Sequence, residues 1–428
     1  MDAPPGNFGQ WLNYAKDFKV KSTSIHDLGT FRSGSKIEAA QYLALHVLWK
    51  THDVSAFDPE EWGLDRRIAK THLGGNKNWK DYLEMVQEGL RGNPSLGTFD
   101  MLWEYQRIVE GLDQETSESD KVAVSTRTRS KTKKSQPQET PSKKSRGQGL
   151  AFDEPPSTPT RAPRGQDTNI LEITYGTENM GLEDEDILAS RYKFYGTPLS
   201  VTLPGDSGDY YEFPPLDDEQ IVNTALILLL QGVCLRFPRM KSSEWTLQRK
   251  AFDFMESEGA ATTDQPEDKK GKGKAKEKDP PRKLFQARTD GHLRIKLEKK
   301  SRSLAILEVK AKERKTVNPF MQESAQMASW IRAEPDVKGD SDDMTYRRVM
   351  ISQNHREIYL IIATYDWKYV EYIRNGLNPA GEPSFMTMNS FGPFVPGLKG
   401  NMERLGSIIV AFTQQLEEQA VAGQPCRW

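Results

Sequence analysis

Three residues in the second half of the chain could act together on a phosphate ester. Asp290 sits at an expected strand turn and precedes Gly291, a turn-forming pair. Eighteen residues later, Glu308, Val309 and Lys310 end a run of Leu304, Ala305, Ile306 and Leu307 that reads as a buried strand. Side chains on a strand alternate faces, so Glu308 and Lys310 share one face and Val309 takes the other. If the strand that carries Asp290 pairs with this one, two carboxylates and an ammonium meet on one side of a sheet. Two carboxylates with waters make a hard oxygen site suited to Mg²⁺ or Mn²⁺. Such an ion polarises a phosphodiester oxygen and lowers the pKa of a bound water. A lysine between carboxylates stays charged, so Lys310 is expected to orient and stabilise rather than to act as a free base. Gln322 and Gln326 lie four apart on the helix expected over 318–331 and therefore share a face.

The elements that must position these residues read as α/β. Strands are expected at 284–287 and 292–297, as two arms around the turn at 289–291, and at 304–309 and 357–364. Shorter strands are expected near 245–254 and, as an edge, at 385–389. Helices are expected over 217–235, 366–374 and 402–419. The acidic start Asp217, Asp218 and Glu219 suits the positive end of a helix dipole. Asp218 or Glu219 could add an acidic group to the site. His292 is expected at the surface. Residues 1–112 read as a separate small helical module, with apolar stripes over 37–49, 81–90 and 99–112. Such a module would pack or dock a protein partner.

Composition narrows the classes. Two cysteines, Cys234 and Cys426, exclude a disulfide scaffold and a zinc ribbon. The six histidines form no HxxxH or HxH pair. Residues 1–6 lack a basic and apolar leader, so no secretory signal is expected. The longest apolar run, 225–230, is far short of the ~18–20 residues of a membrane span. An intracellular protein without a membrane contact is expected. The chain has 59 basic and 61 acidic residues, a net charge of −2. That balance would by itself argue against a nucleic-acid binder, but it sums unequal parts. Residues 126–146 hold eight basic residues against one acidic, a net +7. Their clusters at 127–134 and 143–146 have the form of a nuclear-import signal or a phosphate-contacting arm. Residues 178–219 carry a net −9, and 285–315, around the proposed site, a net +6. Large apolar residues nearly vanish over 113–168, so a disordered basic linker is expected there. A low-complexity insertion is expected over 257–283.

The run Ala287-Arg288-Thr289-Asp290-Gly291-His292-Leu293, then Leu307-Glu308-Val309-Lys310, then Gln322-Glu323-Ser324-Ala325-Gln326-Met327-Ala328-Ser329-Trp330 resembles the PD-(D/E)XK nuclease superfamily. More closely it resembles the nuclease-like domains of that fold found in uncharacterised fungal proteins. The similarity covers roughly 190–420 and not the N-terminal module. Thr289 stands where the motif's name has proline. The resemblance implies a restriction-endonuclease-like αβββαβ domain over about 185–425. It implies Asp290 and Glu308 as ligands of Mg²⁺ or Mn²⁺, Val309 as a carbonyl ligand, and Lys310 as catalytic, with Gln322 beside them. It implies a metal-dependent nuclease acting on nucleic acid, in the first place DNA. Two alternatives stay open: a catalytically inactive domain of the same fold that binds nucleic acid or protein, and an interaction protein whose α/β half is scaffold.

Overall fold

A strand whose two faces are both covered must be apolar almost throughout, and β6 (Ser303–Lys310) is buried at seven of its eight positions. It lies inside a mixed sheet of seven strands. The others are β1 (Val47–His52), β2 (Ser243–Thr246), β5 (Gly291–Ile295), β7 (Tyr346–Asn354), β8 (Glu357–Tyr365) and β9 (Met386–Phe394), in the order β1-β9-β8-β7-β6-β5-β2. Two pairs, β6–β7 and β1–β9, are parallel and the remaining four antiparallel. The computed structural model describes residues 1–88, 95–110, 218–257, 281–296, 302–339, 341, 344–376 and 383–423.

Helices cover both faces. On one lie α3 (Arg67–Gly75), α4 (Lys77–Glu88), α5 (Asp100–Val109), α6 (Glu219–Cys234) and α9 (Lys399–Val421). The other carries α1 (Phe8–Asp17), α2 (Ala39–Leu43), α7 (Asn318–Ala333) and α8 (Trp367–Asn375). A two-stranded ribbon of β3 (Ala251–Met255) and β4 (Lys283–Arg288) packs on this second face. The local signals are ordinary ones. Asp218 caps α6 by accepting from Gln220 N–H at 2.8 Å. Pro319 opens α7, where its missing N–H costs nothing. The α7 helix is the crossover between the parallel strands β6 and β7.

Several expectations need correction. Residues 1–112 are not a separate helical module: the described residues of both halves of the chain belong to one compact unit. Within the stretch read as a helix over 37–49, the helix ends at Leu43 and β1 begins at Val47. His46 adopts φ 53° between them. Six residues of β1 then pair with β9, from Val47 with Met386 to His52 with Phe391. That pairing makes β9 an inner strand rather than the expected edge. The arms at 284–287 and 292–297 do not pair with each other. The first pairs with β3, the second with β2 and β6, and the turn at 289–290 is where the chain changes sheets. Gly291 permits the change, since a Cβ there would stand 2.5 Å from the Thr246 carbonyl oxygen. The single strand near 245–254 is two strands, β2 and β3. The basic linker over 113–168, its clusters at 127–134 and 143–146, and most of the acidic stretch and of the 257–283 insertion lie outside the described residues.

Candidate active site

The end of β6 places Glu308 and Lys310 on the face covered by α7. Lys310 Nζ stands 2.5 Å from Glu308 Oε1 and 3.0 Å from the Val309 carbonyl oxygen. Asp290 immediately precedes β5, the antiparallel neighbour of β6. Its backbone N–H donates to the Leu307 carbonyl at 3.0 Å, and its Oδ2 accepts from the Val309 N–H at 3.0 Å. The pairing that the sequence argument required is therefore present. Asp290 is thus bonded to the backbone on either side of Glu308, whose carboxylate meets Lys310.

Two helices complete the surround. From α7, Gln322 donates to Glu308 Oε1, and Gln326 donates to Glu308 Oε2 and, at 2.7 Å, to the Arg288 carbonyl. From the first turn of α6, Glu219 Oε1 lies 3.6 Å from Lys310 Nζ. One turn on, Asn223 donates to the Asp290 carbonyl at 3.1 Å. Asp218 serves as the α6 cap, so of the two acidic candidates Glu219 is the one beside the site. His292 is buried, not at the surface; its Nδ1 faces Ser303 Oγ at 3.0 Å.

Burial dominates the electrostatics. Glu308 is 1% exposed. Removal from water pushes its carboxyl up to about 8, with Asp290 adding to the rise and Lys310 opposing it. Burial also pulls on Lys310, but Glu308, Glu219 and Asp290 outweigh it and hold the ammonium above the ordinary lysine range. Lys310 is thus a fixed positive charge. The site opens to solvent on the side of Glu219, Asp290 and Lys310, whose side chains are 45%, 14% and 23% exposed.

The donor set suits a hard divalent cation. Asp290, Glu308 and the Val309 carbonyl supply oxygen only. Among the described residues no group of three or more His, Cys, Asp or Glu side chains forms a metal cage. Two carboxylates fit Mg²⁺, which keeps several of its own waters, better than a caged metal. A dication between the carboxylates would add to the Lys310 ammonium in offsetting the charge of buried Glu308.

Behind the site lies a second buried network that the sequence did not suggest. Arg314 pairs with Glu323, and their side chains are 4% and 1% exposed. Glu323 also accepts from Ser352 Oγ at 2.6 Å. The guanidinium lies 4.4 Å from the centre of the Tyr359 ring and 4.6 Å from that of Phe320. This network fastens the 311–317 connection to both α7 and β7. Arg249, 3.3 Å from Asp290 Oδ1, was also missed. Its contact crosses between loops and leaves no periodic trace. Asn223 could have been found, because it stands four residues after Glu219 on one helix face.

Comparison of the chain with models of known protein families, with curated proteins and with solved structures gives no match.

Proposed function

We propose that the protein is a metal-dependent nuclease that hydrolyses phosphodiester bonds, with DNA as the substrate. The observation that carries the proposal is the convergence of Asp290, Glu308 and Lys310 at the end of β6, with Gln322 and Gln326 facing them from α7. The order α6, β2, β5, β6, α7, β7, with β6 and β7 parallel, supports a restriction-endonuclease-like core. Exposed Arg288, Arg249 and Lys312 lie within two residues of Asp290, in contact with it, or two residues beyond Lys310. They suit a polyanion. A nuclear location belongs to the same proposal and rests on the basic clusters at 127–134 and 143–146. Docking through residues 1–112 as a free module loses its basis, because that segment supplies β1 to the main sheet and its described residues belong to the same compact unit.

Asp290, Glu308 and the Val309 carbonyl would hold Mg²⁺ or Mn²⁺. That ion would supply Lewis-acid polarisation of the phosphate and a more acidic water. The remaining work falls to the chain. Lys310, kept charged by its carboxylate neighbours, offsets charge that builds on the phosphate oxygens. Gln322 and Gln326 hold the Glu308 carboxylate in one orientation, which limits reorganisation when the ligand set changes. The Val309 N–H and Asn223 fix the Asp290 turn.

One observation favours the second reading, an inactive domain of this fold that binds nucleic acid: both Glu308 oxygens already accept from side chains. Supercoiled plasmid separates the two. The purified full chain should nick it with Mg²⁺ or Mn²⁺, and Asp290→Ala and Lys310→Ala should each reduce nicking by about 10²-fold or more. Salt-sensitive DNA binding without nicking in any metal supports the inactive reading. Nicking that persists in both variants removes these residues from the chemistry.

A further inference from the structure

Arg249 reaches Asp290 from the solvent side. Its guanidinium is 3.3 Å from Asp290 Oδ1, and its side chain is 54% exposed. The other donors around the two carboxylates belong to the packed elements: the Val309 N–H on Oδ2, and Lys310, Gln322 and Gln326 on Glu308. Arg249 alone among these stands on a surface loop, between β2 and β3, where a side-chain rotation can release it.

Its position is set by the backbone. Thr289, fully buried, donates its N–H to the Lys250 carbonyl at 2.9 Å, and the Lys250 N–H donates to Thr289 Oγ1 at 3.3 Å. The residue after Arg249 is thus stitched to the residue before Asp290. A proline at 289 would have no N–H for the first bond. The departure from the nuclease motif at this position is therefore what ties the arginine loop to the acidic turn.

A guanidinium and a dication compete for one carboxylate oxygen, and the dication, with twice the charge and a shorter contact, wins. The displaced guanidinium stays tethered within a side chain's length of the ion. A phosphodiester drawn to that ion presents two anionic oxygens, which match the planar fork of arginine. Resting on the nuclease reading above, we propose that Arg249 is an exchangeable arginine. It neutralises Asp290 before a divalent cation binds and becomes a ligand of the substrate's backbone phosphate afterwards.

The first test is a calorimetric titration of the full chain with Mn²⁺ in the absence of DNA. Arg249→Ala removes a competitor and should bind Mn²⁺ about threefold more tightly than wild type, while Asp290→Asn should lose binding. The second uses the Lys310→Ala protein, so that duplex DNA is not consumed, and reads affinity by fluorescence anisotropy. Adding Arg249→Ala should weaken DNA binding about tenfold with Mn²⁺ present and much less without it. Arg249→Lys keeps the charge but not the fork, and should recover only part of the loss. If wild type binds Mn²⁺ but Arg249→Ala binds it no more tightly, or loses DNA affinity equally with and without the ion, the Arg249 inference is overturned and the nuclease reading stands. If neither protein binds Mn²⁺, both fall.

Discussion

Glu308 is held from three sides, and the two glutamines that hold it are not equivalent. Gln326 is fully buried and serves both Glu308 and the Arg288 carbonyl. Gln322 is partly exposed and, among the described residues, donates to Glu308. Gln326→Ala removes the donor to the buried Glu308 Oε2 and a bond to the Arg288 carbonyl, and should lower unfolding free energy by about 3 kcal/mol; Gln322→Ala should cost about 1 kcal/mol. Urea unfolding of both variants checks this, and equal losses would contradict the assignment. At this scale the site was largely legible in the sequence. Period-two alternation put Glu308 and Lys310 together, and helical spacing put Gln322 and Gln326 on one face. Arg249 and the Arg314–Glu323 pair were not legible, because their partners are set by loop packing and not by a repeat.

The element that holds the site in place is the 311–317 connection between β6 and α7. It is pinned by the Arg314–Glu323 pair and by the aromatic rings of Phe320 and Tyr359. Removing one partner leaves the other buried and uncompensated, so Arg314→Ala should destabilise the protein by about 3–5 kcal/mol in chemical denaturation. A loss below about 1 kcal/mol would mean the pair is dispensable. A comparable anchor fixes β2. Glu417 of α9 accepts from the N–H groups of Lys241, Ser242 and Ser243 at 2.8, 2.7 and 2.9 Å. Long periodic elements such as α6, α7 and α9 were readable. The short strands β4 and β5 were readable too, but β1 was not. The segment 37–49 carries apolar residues at a helical period, yet tertiary pairing with β9 makes its last three residues the start of a strand. Without β1, β9 looks like an edge.

In the whole molecule, the N-terminal hundred residues complete the sheet and brace the helix of the glutamines. Trp49 of β1 donates to Ser324 of α7 at 3.0 Å, and Phe99 packs so closely on α6 that a Cβ at Gly232 would stand 2.8 Å from its ring. Residues 218–428 expressed alone should therefore show no cooperative unfolding transition; a sharp two-state melt would restore the separate module. His46, buried and stacked 4.1 Å from the Tyr372 ring, belongs to the same junction. Burial pushes its pKa down to about 4. The unfolded histidine titrates near 6.5. Between these values the unfolded chain takes up a proton that the folded chain refuses, so stability falls as pH drops from about 6.5 to 4 and this contribution levels off below. The loss is on the order of 3 kcal/mol. His46→Asn, which tolerates the left-handed backbone there, should flatten that slope. The net charge of −2 conceals a site flanked by exposed arginines and lysines, so it does not oppose a polyanionic substrate. The account rests on one divalent ion shared by Asp290 and Glu308. Anomalous diffraction from a crystal soaked in Mn²⁺ tests it most directly. The account predicts a peak in contact with both carboxylates and beside the Val309 carbonyl; a soaked crystal with no peak there would contradict it.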